Sequence, residues 1–295
     1  MKFKKEKVKI SRHNVFEILD GESSHIVKDL DKRTIKAIKK ANKKKRKKDD
    51  SISLKNNEDY IIECTNVSKY YLSGTTATKV LRDIDFKVKK GEIIVIFGKS
   101  GSGKSTLLNL ISGLDRPSKG NVVVADTNLP YLSDNELTKF RRENVSFIFQ
   151  NYNLLQNING YDNVETGAYL NKSKPTKERI EELFKVYEVD GVMDKYPSQM
   201  SGGQQQRISI LRALIKDSQI IFADEPTGAL DEATTRIVLT SLFEENKAKN
   251  TTIVMVSHNP AIEPMADRIV FVKEGKITGI KHNQNPVHPK DLGQL

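Results

Sequence analysis

The chain has 295 residues, 49 Lys+Arg against 38 Asp+Glu, a formal charge of +11, and apolar residues at 37%. A single cysteine, Cys64, excludes an internal disulfide framework and suits a reducing compartment. The longest apolar runs, such as Ile93 to Phe97, fall far short of the roughly 20 residues a spanning helix needs, and no apolar stretch follows the Lys-rich start. The chain therefore reads as intracellular and not itself membrane-crossing.

Residues 1–50 hold 18 Lys+Arg against 8 Asp+Glu, a net +10, while residues 51–295 hold 31 against 30. Nearly all the excess charge is in one segment, which ends in the basic run Lys43-Lys44-Lys45-Arg46-Lys47-Lys48. Val27, Leu30, Thr34, Ile38 and Ala41 fall near helical spacing among these basic residues. Three readings stand: a basic amphipathic helix on an anionic membrane surface, a nucleic-acid contact, and a solvated tail. The membrane reading is favoured and nucleic acid is the least favoured. Asp49 to Asn57 is polar and reads as a linker, so residues 1–56 form an extension and residues 57–295 the body.

Ile61, Ile62 and Val67 suggest the body's first strand, and Val80, Ile84, Phe86 and Val88 a half-buried second one. Glu92 to Phe97 has the continuous β-branched character of a strand buried on both faces. Helices are expected over Ser105 to Ser112, Lys177 to Val189 and Gln204 to Lys216. Further strands are expected at Val122 to Ala125, Val145 to Phe149, Gln219 to Ala223, Thr252 to Val256 and Arg268 to Val272. Strands alternating with helices argue for an α/β fold with a largely parallel sheet.

Between the buried strand and the first of those helices lies Gly98-Lys99-Ser100-Gly101-Ser102-Gly103-Lys104-Ser105-Thr106. It satisfies G-x-x-x-x-G-K-[ST]. Glycines let the backbone curl with its N–H groups inward, and the following helix aims its positive end at the same place. Lys104 can reach the β- and γ-phosphates of a nucleotide, and Ser105 can ligate Mg²⁺. Downstream, the apolar run Gln219 to Ala223 ends in Asp224 and Glu225. A parallel strand would put these acids at the ligand-binding edge. Asp224 would hold Mg²⁺ and Glu225 would polarise an attacking water.

Met200-Ser201-Gly202-Gly203-Gln204-Gln205-Gln206-Arg207, placed between the phosphate loop and the acidic strand, makes the chain closely resemble an ABC-type ATPase subunit. The resemblance covers about residues 58–280. The run Ala223-Asp224-Glu225-Pro226-Thr227-Gly228-Ala229-Leu230-Asp231 and the stretch Phe147-Ile148-Phe149-Gln150-Asn151-Tyr152-Asn153-Leu154-Leu155 are similar to the ATPases of lipoprotein-releasing, macrolide-export and cell-division systems. The resemblance implies a P-loop core, an antiparallel β subdomain and a helical subdomain near residues 151–215.

It implies site roles as well. Gln150 would contact Mg²⁺ and the attacking water, and His258 the γ-phosphate. Tyr71 would stack on adenine, with Tyr70 as its neighbour and rival. Ser201, Gly203 and Gln204 would face the nucleotide held by a second subunit, so a homodimer closing over two MgATP is implied. Asp231 would lie at that dimer interface, or cap the helix that follows it. A separate permease with a large extracytoplasmic domain would be the membrane partner, docking near Tyr152, Leu154 and Leu155. The chain would then sit in the cytoplasm, peripheral on the inner face of the membrane. An ABC ATPase serving cell division or a non-transport assembly is the alternative.

Overall fold

In a computed structural model the structure describes residues 9–21, 24–169, 175–228 and 230–295. Contacts divide the chain into two compact units. The first comprises Met1–Lys89, Lys99–Lys139 and Val272–Thr278, and the second Lys90–Gly98, Phe140–Phe271 and Gly279–Leu295. Each is described by itself.

The described elements run α1 (Val15–Asp20), β1 (Ile26–Val27), α2 (Lys32–Lys43), β2 (Tyr60–Ser73), β3 (Thr76–Lys89), β4 (Ile93–Phe97) and α3 (Lys104–Ile111). Then come β5 (Lys119–Val124), β6 (Thr127–Asn128), α4 (Asp134–Asn144), β7 (Val145–Ile148), α5 (Gly160–Ala168), α6 (Lys177–Val186) and α7 (Gly202–Leu214). The chain closes with β8 (Ile220–Asp224), α8 (Glu232–Lys249), β9 (Thr252–Val256), β10 (Arg268–Lys273) and β11 (Lys276–His282).

The first unit is built on an antiparallel sheet in the order β1–β3–β2–β5–β6. β3 alternates buried and exposed residues over Ile84 to Lys89, giving one face to the core and one to solvent, while β2 is buried without alternation from Val67 to Tyr70. The N-terminal segment adds β1 to the edge of this sheet, pairing Ile26 with Thr78 and Val27 with Ala77. It is not a free tail where it is described. Asp31 caps α2 by accepting from the Thr34 N–H at 2.7 Å. The helix turns Thr34, Ala37 and Ile38 inward. Ala37 and Ile38 join Val15, Phe16, Leu19 and Tyr70 in one buried cluster. Burying side chains of this size contributes about 1.5–3 kcal/mol each. The apolar stripe read from the sequence is therefore spent on the protein's own core.

The stretch expected to be a linker is also bonded to the first unit. The Tyr131 phenol donates to Asp49 at 2.7 Å, and Asn128 donates to the Ser51 carbonyl at 2.7 Å. Asn56 exchanges hydrogen bonds with Asp126 and donates to the Val123 carbonyl.

The second unit contains most of a six-stranded sheet in the order β11–β10–β4–β9–β8–β7, with parallel pairing from β10 through to β7. Every residue of β4 and β9 is buried, as their unbroken apolar runs require. The core sits between this sheet and the helices, with Ile208 and Leu211 of α7 and Val238, Leu239 and Leu242 of α8 packed into it. The parallel register matters for chemistry. Ile96 and Asp224 both lie opposite Val256, so Gly98, Glu225 and His258 leave the sheet at one edge.

Candidate functional site

Lys99 to Thr106 of the phosphate loop and Tyr71 belong to the first unit, while Gly98 ends a segment of the second. Gly103 caps α3 in the left-handed region at φ 107°, which frees the helix's leading N–H groups. Lys104 is buried and donates from Nζ to the Lys99 carbonyl at 3.1 Å, so its charge is folded back over the loop. Ser102 carries a buried hydroxyl with no hydrogen-bond partner. An orphaned donor inside a curled glycine loop fits an anion.

A residue not singled out from the sequence pins this loop. Gly275, in the turn between β10 and β11, donates its N–H to the Ser102 carbonyl at 2.9 Å. Its φ is 74°, and a Cβ there would lie 2.0 Å from the Val80 carbonyl oxygen. Only glycine permits that approach. Its sequence signal was a glycine between two short β runs, which reads as an ordinary turn.

Tyr70 and Tyr71 separate cleanly. Tyr70 is buried, stacks on Phe16 with centroids 5.2 Å apart, and donates from its phenol to Asp20. Tyr71 is 39% exposed. Its phenol donates to Asp115 at 2.8 Å, and the Thr106 side chain at the start of α3 meets the same oxygen. Burial, then the Asp115 bond, pushes that phenol above its usual range. Lys69 lies two residues back on the same strand face, 5.0 Å above the ring, with its ammonium on Asp115 at 2.8 Å. Of the two tyrosines, Tyr71 is the one beside the phosphate loop. Asp115, which sequence reasoning passed over, orients both Lys69 and Tyr71.

The second unit gathers a different set. Gln150 follows β7, and its Nε2 donates to Glu225 Oε2 at 3.1 Å. A carboxylate only accepts, so the amide must turn its nitrogen toward Glu225 and leave its carbonyl oxygen for a cation. His258 Nδ1 lies 3.2 Å from Glu225 Oε1. Glu225 itself has φ 48°, a left-handed conformation costly for a non-glycine residue and concentrated at functional sites. The Glu225 N–H is held by the Val256 carbonyl at 3.0 Å. Gln150, Glu225 and His258 thus converge at one sheet edge, next to Asp224 at the end of β8.

Ser201 caps α7. Its hydroxyl accepts from the Gln204 N–H at 3.3 Å, and its own N–H donates to the Gln204 side-chain carbonyl at 2.9 Å. The Gln204 side chain therefore completes a cap. Gly203 faces Leu230, and Gly202 faces Tyr152, whose phenol oxygen would lie 3.0 Å from a Cβ there. Gln206, for which the sequence suggested no role, is buried and donates to the Pro226 carbonyl at 2.8 Å. It ties α7 to the loop behind Glu225. Asp231 caps α8 through the Thr234 N–H at 2.8 Å, a bond that holds its carboxyl below the usual range. Of the residues expected to meet a permease, Leu154 is buried, Tyr152 is half-buried and Leu155 is exposed.

The donor set at these positions is hard oxygen: the Ser105 hydroxyl, the Asp224 carboxylate and the Gln150 carbonyl. That chemistry fits Mg²⁺ bound alongside phosphate oxygens. No cluster of three or more His, Cys, Asp or Glu suited to a metal occurs among the described residues. No helix among the described residues is long and apolar enough to cross a membrane.

The family model described as ABC transporter matches residues 81–228. A putative ABC transporter ATP-binding protein of Mycoplasma pneumoniae, the MG065 homolog, is 44% identical over 264 residues, covering 90% of this chain and 56% of the relative. The bacitracin export ATP-binding protein BceA of Halalkalibacterium halodurans is 40% identical over 219 residues, 74% of this chain and 87% of the relative. Among solved structures, the dimeric post-hydrolysis state of the ATP-binding cassette MJ0796, bound to ADP and Pi, matches with a TM-score of 0.72 and 34% identity, over 76% of this chain and 99% of that one. The chain spans about half the length of the first curated relatives it matches.

Proposed function

This chain belongs to the ABC transporter family of ATP-binding proteins, and we propose that it is the ATP-hydrolysing subunit that drives a separate membrane permease. The observation that carries the catalytic assignment is the convergence of Gln150 and His258 on Glu225 at one sheet edge.

The phosphate loop, from Gly98 through Ser100, Gly101, Ser102, Gly103, Lys104 and Ser105 to Thr106, receives the triphosphate. Backbone N–H groups and Lys104 neutralise its charge. Tyr71 stacks on the adenine. Ser105, Asp224 and Gln150 would hold Mg²⁺ through their oxygens, and the ion would supply charge neutralisation to the phosphates. Glu225 accepts a hydrogen bond from the attacking water and raises its nucleophilicity. Gln150 holds Glu225 in place, and His258 steadies its other oxygen while facing the γ-phosphate. A loose phosphoryl-transfer transition state asks the protein mainly for positioning and charge, which is what these groups provide.

Ser201 and Gly203, with Gln204 bracing the cap, present the leading N–H groups of α7 to the γ-phosphate of a second copy. Two copies then close over two ATP and reopen after hydrolysis, which couples chemistry to motion. Leu155, exposed in the segment after Gln150, is the best placed of the three candidate permease contacts. The permease carries the large extracytoplasmic domain of the export systems this chain resembles. The chain works at the cytoplasmic face of that membrane. Its N-terminal lysines approach the anionic surface by charge alone, since the apolar side of α2 is already buried.

The test is Glu225→Gln in the full chain. ATP binding is retained, hydrolysis falls at least about 10²-fold, and an ATP-dependent dimer accumulates in sedimentation. A variant that hydrolyses at full rate as a monomer would overturn the reading.

A further inference from the structure

The N-terminal segment does more than cover the sheet, because together with the approach to β5 it walls a cavity of about 310 Å³ within the first unit. Arg12, Lys44, Arg46 and Lys47 line it from the N-terminal side, and Arg116 and Lys119 from the segment leading into β5. Glu17 and Asp49 are its acidic lining residues, and Asp49 is engaged by the Tyr131 phenol.

The cations divide into two sorts. Some are committed. Lys119 bonds to Asp20, and Arg116 bonds to Asp134 at 2.7 Å and to the Leu132 carbonyl at 2.6 Å. Lys45, also at the rim, reaches Glu136 only at 3.9 Å. The others are less fully matched: Arg12 donates only to the neighbouring His13 at 3.2 Å, and Arg46 shares a hydrogen bond with Tyr131. Lys44 and Lys47 have no side-chain partner among the described residues. The Arg46 Nη2 and Arg116 Nε atoms are buried with no hydrogen-bond partner. Burial penalises the Arg46 guanidinium, which only Tyr131 and Asp49 offset.

Concave walls focus this unmatched charge into the cavity rather than letting water screen it. A flat basic stripe suited to a polymer backbone would look different. Here the volume is that of a small-molecule site, larger than one phosphate group needs and lined by cations on opposite sides. Flexible lysines at the mouth and arginines beneath are the usual grip on phosphate.

We propose that this cavity is a second anion site, distinct from the nucleotide site, that binds a small ligand bearing more than one phosphate group. The source is either a soluble polyphosphorylated molecule or the headgroup of an anionic lipid. The inference does not rest on the transporter reading.

The experiment uses the full chain carrying Lys104→Ala, which weakens the nucleotide site, with and without Arg12→Gln, Lys44→Gln and Lys47→Gln together. Inorganic tripolyphosphate is titrated into each by calorimetry. Affinity at least tenfold weaker in the cavity variant is expected. Binding that is absent in both, or equal in both, overturns the proposal. The same pair is sedimented with phosphatidylcholine vesicles with and without cardiolipin. Cardiolipin-dependent binding lost in the cavity variant assigns the headgroup, and binding that is absent or unchanged assigns the soluble ligand. The three substitutions in a chain with Lys104 intact leave ATP hydrolysis at the wild-type rate, which shows that the fold survives them.

Discussion

The Gln150 amide donates to the Glu225 carboxylate across 3.1 Å, and this bond fixes the orientation of the candidate base. Gln150→Glu would place two carboxylates at that distance. Like charges so close repel, and an acceptor then stands where a donor held the base. ATP hydrolysis should drop by about 10²-fold in Gln150→Glu. A hydrolysis rate equal to wild type would show that Gln150 and Glu225 do not act as a pair.

Tyr70 and Tyr71 give the second prediction, because adjacent positions on β2 send them to opposite faces. Tyr71→Ala should weaken ATP binding by about 1–3 kcal/mol, the usual worth of stacking on a base. Tyr71→Phe should bind almost as wild type, since the ring remains and only the Asp115 bond is lost. Tyr70→Ala should cost about 3–5 kcal/mol of stability by emptying the space against Phe16. Equilibrium denaturation and nucleotide titration separate the two effects. Equal losses of ATP affinity at both positions would remove Tyr71 from the site.

Much of this was readable without coordinates. β4, β8 and β9 announced themselves as unbroken apolar runs, because a strand buried on both faces has no polar side to show. The phosphate loop and the Ser201 helix start are local, so a few consecutive residues define them. What stayed hidden depends on distant pairs. Asp115 orients Tyr71 from 44 positions away. Gly275 meets Ser102 across an even longer stretch of chain. The amphipathic pattern of α2 was legible, yet periodicity reports only that a stripe is buried, not against what. Here it is buried against Phe16 and Tyr70 rather than a lipid surface.

Gly275 supports a third prediction, best made against a control. Gly74 and Gly275 both have positive φ, at 59° and 74°. A Cβ on Gly74 meets nothing within 4 Å, so Gly74→Ala should cost only the left-handed strain, about 1–2 kcal/mol of stability. Gly275→Ala must also push against the Val80 carbonyl, and the turn then moves off Ser102. ATP affinity should fall at least tenfold in Gly275→Ala and stay at the wild-type value in Gly74→Ala. Both variants binding ATP alike would show that the turn does not brace the loop.

The N-terminal segment should behave as part of the first unit. Ile38 is fully buried and Lys39 beside it is exposed. Ile38→Ala should destabilise the chain by about 2–5 kcal/mol, while Lys39→Ala should stay within about half a kcal/mol. Urea denaturation reads the difference. An Ile38→Ala chain as stable as wild type would mean that α2 lies off the sheet in solution.

Lys216, at the end of α7, yields a pH prediction. Burial, with Arg141 nearby, pushes its ammonium down to about 8 from the ordinary 10.5. Its Nζ donates to the Arg141 carbonyl at 2.8 Å and to the Val145 carbonyl. Between about pH 8 and 10.5 the unfolded chain holds more protons at this position than the folded chain, so stability from this group rises with pH across that window. Below about pH 8 both states are protonated and the cost is constant. The rise is worth at most about 3 kcal/mol. Lys216→Met removes the titration and leaves two carbonyls unpartnered, which lowers stability by a constant amount. The urea midpoint of wild type should therefore gain on that of Lys216→Met as pH goes from 8 to 10. A gap that stays constant over that range would mean that the ammonium remains hydrated in the fold.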